Sequence, residues 1–133
     1  IDRGFEAGYK VRYPDGYESW SPKAVFEDTY LEVITNDQLR TTEPSISTEM
    51  VKDFIATVET ITMGEKTTVV RAVLKNGFEI VESSSCVSAA NYDEKLGESI
   101  CMKKIIDKVW MLLGFLLQTA VKGISVEGNC NGD

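Results

Sequence analysis

The chain has 133 residues, 43% of them hydrophobic and 26% charged, which is the balance of an ordinary globular domain. At this length roughly two-thirds of the unfolded surface can be buried without disulfide staples. A net charge of −7 with no basic tract disfavours direct nucleic-acid binding, and the lack of histidine removes the commonest general base, metal ligand and near-neutral pH switch. The three cysteines, Cys86, Cys101 and Cys130, form no CxxC pair, so local spacing builds neither a zinc knuckle nor a thioredoxin-like motif; a reduced, cytosolic setting fits them best. The longest apolar run, Val109 to Leu117, is far shorter than the roughly 20 residues a membrane span requires. No signal-peptide pattern is read either.

The first unit runs from Gly8 to Val33 within a module placed at residues 1–34. Tyr9, Val11 and Tyr13 alternate with Lys10 and Arg12, the period of a half-buried strand. Pro14-Asp15-Gly16 reads as a turn, Tyr17 to Trp20 as the return strand, and Ser21-Pro22 as a helix start with Ser21 as N-cap. Val25, Phe26 and Tyr30 then predict an apolar stripe on a short helix. Residues 35–46 are polar and end near Pro44, which predicts a linker.

The second unit is placed at residues 47–123. Ser47 predicts a cap, with Glu49 in the first turn and Met50, Val51, Phe54, Ile55 and Val58 at helical spacing. The β-branched run Val58 to Thr62 reads as either the helix end or a strand, and Thr67 to Leu74 as a strand. Asn76-Gly77, taken as a two-residue type I′ turn, pairs Val73 with Ile80 and Arg71 with Glu82, a contact worth about 0.2–1 kcal/mol.

A helix is predicted from Tyr92 to Lys122, with Asn91 as N-cap and Gly123 as the stop. Its apolar residues fall in two directions: Tyr92, Leu96 and Ile100 in one, and Ile105, Val109, Leu112, Leu113 and Leu116 in the other. A single surface cannot serve both, so the pattern predicts a break between about Cys101 and Ile105, or burial on two sides, with a second subunit as one source of the second side. Residues 124–133 read as a flexible tail. The fold class is α+β: an N-terminal β-hairpin plus helix, then a helix, a two- or three-stranded antiparallel meander and a long or broken C-terminal helix.

Candidate chemistry is sparse. Cys86 follows Ser83, Ser84 and Ser85 and precedes a helix, where backbone amides can lower a thiol pKa, but no histidine can activate it and a structural role is the better reading. The acidic neighbours Glu27/Asp28 and Asp93/Glu94 point about 100° apart on a helix, so neither pair converges on a metal or a substrate. No catalytic residue, metal or cofactor is expected. The densest feature is the aromatic set Tyr9, Tyr13, Tyr17, Trp20, Phe26 and Tyr30, with Arg12 and Lys23 among it. From it Arg12, Tyr13, Tyr17, Trp20 and Lys23 are taken as the candidate binding residues, since aromatic and arginine anchors dominate protein interfaces. The bland alternative is a hairpin filling its own small core.

The residues "LKNGFEIVESSSCVSAANYDEKLGESICMKKIIDKVWMLLGFLL" resemble a family of small tailed-phage proteins named after products of coliphage N4 and Shigella phage Sf6. Asn76, Gly77, Phe78, Cys86, Asn91, Tyr92, Asp93, Lys108, Val109, Trp110, Leu112, Gly114, Phe115, Leu116 and Leu117 fit its pattern of strand, N-G-F, strand, N-[FY]-D and helix. Proline often follows the tryptophan in that family; here it is Met111, so a proline kink does not carry over. "GYKVRYPDGYESWSPKAVFEDTY" is similar to a short module recurring in small phage proteins. Neither resemblance implies a catalytic residue. Together they imply a phage accessory protein in the bacterial host cytoplasm, expected to bind a host protein such as a bacterial immunity effector, in the manner of anti-CRISPR or other anti-defence inhibitors. The alternative is a protein that sequesters a small nucleotide signal on the same hairpin.

Overall fold

Proline, aspartate and glycine reverse the chain at residues 14–16 as their backbone preferences require. Gly16 takes a positive φ of 92°, and the Asp15 carboxylate accepts the Tyr17 N–H at 2.9 Å. In this computed structural model residues 7–34, 36–39 and 43–125 are described, and the chain divides between Glu32 and Val33 into two units.

In the first unit, strands β1 (Gly8–Arg12) and β2 (Glu18–Pro22) pair antiparallel, with Tyr9 opposite Ser21 and Arg12 opposite Glu18. Helix α1 (Lys23–Thr29) follows at once. The expected Ser21 cap does not form: β2 runs through Ser21, Pro22 holds the capping position at φ −55° and ψ 146°, and no side chain caps the helix. Phe26 stacks on Tyr9 of the hairpin and Tyr30 on Phe26, whereas Val25 is exposed without a ring partner.

The second unit opens with α2 (Thr48–Phe54), whose cap Ser47 accepts the Met50 N–H at 3.3 Å. The helix stops at Phe54, short of the expected Val58. The β-branched residues Ile55, Thr57 and Val58 instead enter β3 (Ile55–Met63), with a bulge between Ile55 and Thr57. With β4 (Thr67–Leu74) and β5 (Glu79–Ser85) this makes a three-stranded antiparallel meander in the order β3-β4-β5. Part of the stretch read as a linker is held to this unit. The Asn36 side chain donates to the Ile46 carbonyl at 2.9 Å, and Ile34 and Ile46 pack against the core.

The β4–β5 register differs by one residue from the type I′ expectation. Val73 faces Glu79, Ala72 faces Ile80, Arg71 faces Val81 and Val70 faces Glu82. The loop has three residues, Lys75 to Gly77, closed by Leu74 N–H to Phe78 O at 2.8 Å and Gly77 N–H to Leu74 O at 2.9 Å. Only Gly77 has positive φ, 87°, whereas a type I′ turn needs it at Asn76 as well. A one-residue slip exchanges the faces of a strand. The observed register aligns the buried side chains Val70, Ala72 and Leu74 with Ile80 and sends Arg71 outward, where it meets Glu79 at 2.6 Å and Glu59 at 3.7 Å. Glu82 points to the helix side and pairs with Lys108.

Helix α3 (Glu94–Lys122) is continuous, so of the two expected forms, long or broken, it takes the long one. Its cap is Asp93, whose carboxylate accepts from the N–H groups of Lys95 and Leu96; Asn91 instead ends a short 3-10 turn, Ala89–Asn91. The buried stripe is Gly97, Cys101, Ile105, Val109 and Leu113, one residue every four. Two small residues therefore carry the stripe past the point where the large ones turn away, leaving Leu96 and Ile100 exposed. Gly97 is required there, because a Cβ would come within 2.1 Å of Thr68 Oγ1. The stripe packs on β4 and β5, and Met50, Val51 and Phe54 of α2 complete the core. Each fully buried aliphatic side chain contributes about 1.5–3 kcal/mol. Polar contacts close the end near Gly97: the Tyr92 hydroxyl lies 2.8 Å from both Thr62 Oγ1 and Thr68 Oγ1, and Thr60 and Thr62 donate to Glu98 and Glu94.

Candidate functional site

Strand alternation sorts the candidate residues of the hairpin. Lys10, Arg12, Glu18 and Trp20 share one face of the β1–β2 ribbon; Tyr9, Val11, Ser19 and Ser21 share the other. Tyr13 and Tyr17 sit across the mouth of the turn, joined by Tyr13 N–H to Tyr17 O at 2.8 Å, and continue the second face. Arg12 and Trp20 are thus brought together, as are Tyr13 and Tyr17, and the two groups lie on opposite faces. The alternation noted in the sequence already contains this separation, since Arg12 and Tyr13 are adjacent.

On the first face Lys10 and Arg12 both reach Glu18, at 3.2 and 3.3 Å. Trp20 stands opposite Lys10 and is half exposed. Its indole lies close to Gly8, where a Cβ would meet the ring at 2.3 Å, so the glycine is what lets the ring approach the first strand. Two cations against one carboxylate leave this face with a positive excess beside an exposed indole. Glycine 8, Lys10 and Glu18 were outside the sequence-derived set; cross-strand pairing is the signal that finds them.

On the second face Tyr9, Phe26 and Tyr30 form a stack of three rings, with centroid separations of 4.2 and 4.5 Å. The Tyr9 hydroxyl donates to Glu27 at 2.7 Å. That hydrogen bond, then partial desolvation and the negative charge of Glu27 and Glu32, raise the Tyr9 phenol above its ordinary value. The Tyr13 and Tyr17 rings lie 5.6 Å apart. Lys23 opens α1 and makes no ion pair among the described residues; its backbone N–H is already taken by the Ala7 carbonyl at 3.1 Å. None of the described residues of this unit is buried. Such a surface can stack on planar groups and attract negative charge, which is the chemistry of contact.

The other sequence candidates have local partners. Cys86 is half-buried, its N–H bonded to the Lys66 carbonyl at 3.0 Å; it lines a pocket with Asp93, Leu96 and Gly97 at the start of α3, where the N–H groups of Lys95 and Leu96 are already taken by the Asp93 carboxylate. Ser85 Oγ contacts Thr67 Oγ1 at 2.6 Å. Burial raises the Cys101 thiol pKa, and the thiol donates to the Thr68 carbonyl. Glu27 bonds Tyr9, Asp93 caps α3 and Glu94 bonds Thr62, so the acidic neighbours serve separate contacts. Among the described residues no group of three or more Cys, Asp or Glu side chains could hold a metal ion, and no helix is long and apolar enough to cross a membrane. Cys130 lies outside the described residues.

A family model described as phage protein (N4 Gp49/phage Sf6 gene 66) family matches residues 42–121. No curated protein and no solved structure matches the chain. The matched residues span α2, the whole meander and nearly all of α3. With more than half of its length accounted for, the chain belongs to the N4 Gp49/Sf6 gene 66 family of phage proteins.

Proposed function

We propose that this phage protein is a non-enzymatic accessory factor that acts in the host cytoplasm by binding a host protein, with bacterial immunity effectors as the target class, and that the hairpin–helix unit is its contact surface. One observation carries the reading: Tyr13, Tyr17, Trp20 and Tyr30 are all exposed in a unit whose described residues include none that is buried. Aromatic rings exposed beside cations are the composition of interface centres, where a few anchors supply most of the affinity. The overall charge of −7 favours a partner that is basic as a whole, whereas the Lys10–Arg12 face itself would meet an acidic patch on it.

The test is native mass spectrometry of the tagged chain recovered gently from host lysate, followed by affinity measurement on two face-specific variants, Arg12→Ala/Trp20→Ala and Tyr13→Ala/Tyr17→Ala. A protein-sized added mass is expected, and loss of an anchor should cost about 2 kcal/mol or more, roughly thirtyfold in Kd. Full binding by both folded variants would remove the hairpin from the interface. An added mass of nucleotide size would replace this reading with ligand sequestration.

A further inference from the structure

Two helical glycines in α3 stand in opposite situations. Gly97 is pressed against Thr68, but a Cβ at Gly114 would meet nothing described within 4 Å beyond its own stretch of helix, and it would point into a groove whose lining includes Glu43, Pro44, Gln118 and Val121. Glycine inside a helix is destabilising relative to alanine, and nothing described within the chain requires it at 114. Next to it Phe115 is 74% exposed, and one turn before it Met111 is 66% exposed. At 100° per residue, Met111, Gly114, Phe115, Gln118 and Val121 fall within a sector of about 120° pointing away from buried Leu113. Their spacing is that of a helix–helix seam. They sit in the run Val109 to Val121, the longest stretch of this chain without a charged residue. Asp107 and Lys122 flank the seam in the same sector, both exposed and neither in an ion pair among the described residues.

We infer that this face of α3 binds a second copy of the chain, with the two helices antiparallel about a two-fold axis midway between Gly114 and Phe115. Residues equidistant from that axis then face one another. Phe115 enters the gap over Gly114 of the second copy, Met111 meets Gln118, and Asp107 meets Lys122, each contact occurring twice as a two-fold interface requires. Charge selects this occupant. Two copies each carrying −7 repel through most of their surfaces, whereas here the helices meet along a charge-free stretch of α3 ended by Asp107 and Lys122, with Glu43 at the rim of the groove over Gly114. A single helix pair is a small interface, so the dimer is reversible and concentration-dependent. This inference does not rest on the proposed host partner, because it concerns α3 and not the hairpin.

Sedimentation velocity of the full chain from micromolar to millimolar concentration tests it. The native chain should move from its 14.8 kDa monomer mass towards twice that value. Gly114→Leu fills the gap from a Cβ position that meets no described neighbour, and Phe115→Ser removes an exposed ring. Both should stay monomeric with unchanged circular dichroism. Asp107→Lys should weaken association at least severalfold, and Asp107→Lys combined with Lys122→Asp should restore it. A native chain that remains monomeric throughout, or a folded Gly114→Leu or Phe115→Ser variant that associates as the native chain does, would overturn the inference.

Discussion

The second unit encloses eleven buried hydrophobic side chains from α2, β4, β5 and α3, whereas the hairpin–helix unit has none among its described residues. One is held by a continuous core. The other is held by a three-ring stack, a turn and a ladder of backbone bonds, the kind of two-stranded ribbon that is marginal in water by itself. Local stability within a chain follows such differences, and elements that bind are commonly drawn from the less stable end. The family match falls wholly within the cored unit's span, while the candidate contact residues all lie in the other. The two units thus separate the problem of folding from the proposed problem of recognition.

That contrast breaks most readily in the core. Ile105→Ala empties the middle of the buried stripe and should cost about 2–5 kcal/mol in urea unfolding followed by circular dichroism; a much smaller loss would mean that α3 is not the lid of the core. Gly97→Ala should cost about 1–3 kcal/mol through its clash with Thr68, and adding Thr68→Ala should recover part of the loss, since the crowding atom goes with it. Phe26→Ala should speed proteolysis within residues 7–32 and leave the unfolding free energy of the second unit in urea within about 0.5 kcal/mol of native, because the stack belongs to the first unit alone.

The smallest effects are electrostatic, and they separate the units by pH. The Tyr9 pKa is raised in the folded state, so the contribution of its bond to Glu27 is complete below the ordinary tyrosine value and is lost as pH climbs through the raised one. Amide exchange in the hairpin should therefore accelerate in alkali before that of the meander, and Glu27→Gln should bring the Tyr9 titration down. The Glu79 pKa is lowered, first by its hydrogen bond from Arg71 and then by that residue's charge. Its contribution is present above the ordinary glutamate value and disappears as pH falls through the lowered one. Arg71→Ala should move the Glu79 titration upwards in an NMR experiment.

Local chemistry was legible at several positions where a residue acts on its own backbone, though not in the type of the turn at Asn76-Gly77. Ser47 caps α2, Asp15 and Gly16 close the first turn, and Gly123 ends α3, each with the geometry its type favours. Caps that depended on a neighbouring element were not: Ser21 is held in β2, and Asp93 takes the position expected of Asn91. The candidate site was legible as a composition of aromatics and cations. Its division into two faces was available from strand parity, but Gly8 under Trp20 and Glu18 between two cations emerge only once β1 and β2 are paired.

By itself the sequence decided most of the helices, strands and turns, the α+β class and the phage family, because these depend on short-range periodicity, turn chemistry and motif spacing; β3, left open between helix end and strand, is the exception. Tertiary structure decided which row of each element faces inward. The one-residue register of β4 and β5, the pairing of Glu82 with Lys108, and the passage of the α3 stripe through Gly97 and Cys101 are choices between alternatives that are locally almost equal. What separates them is a helix and a sheet fitting together along a shared surface, where a glycine is favoured by the threonine it must admit and a larger residue one position away is turned outward.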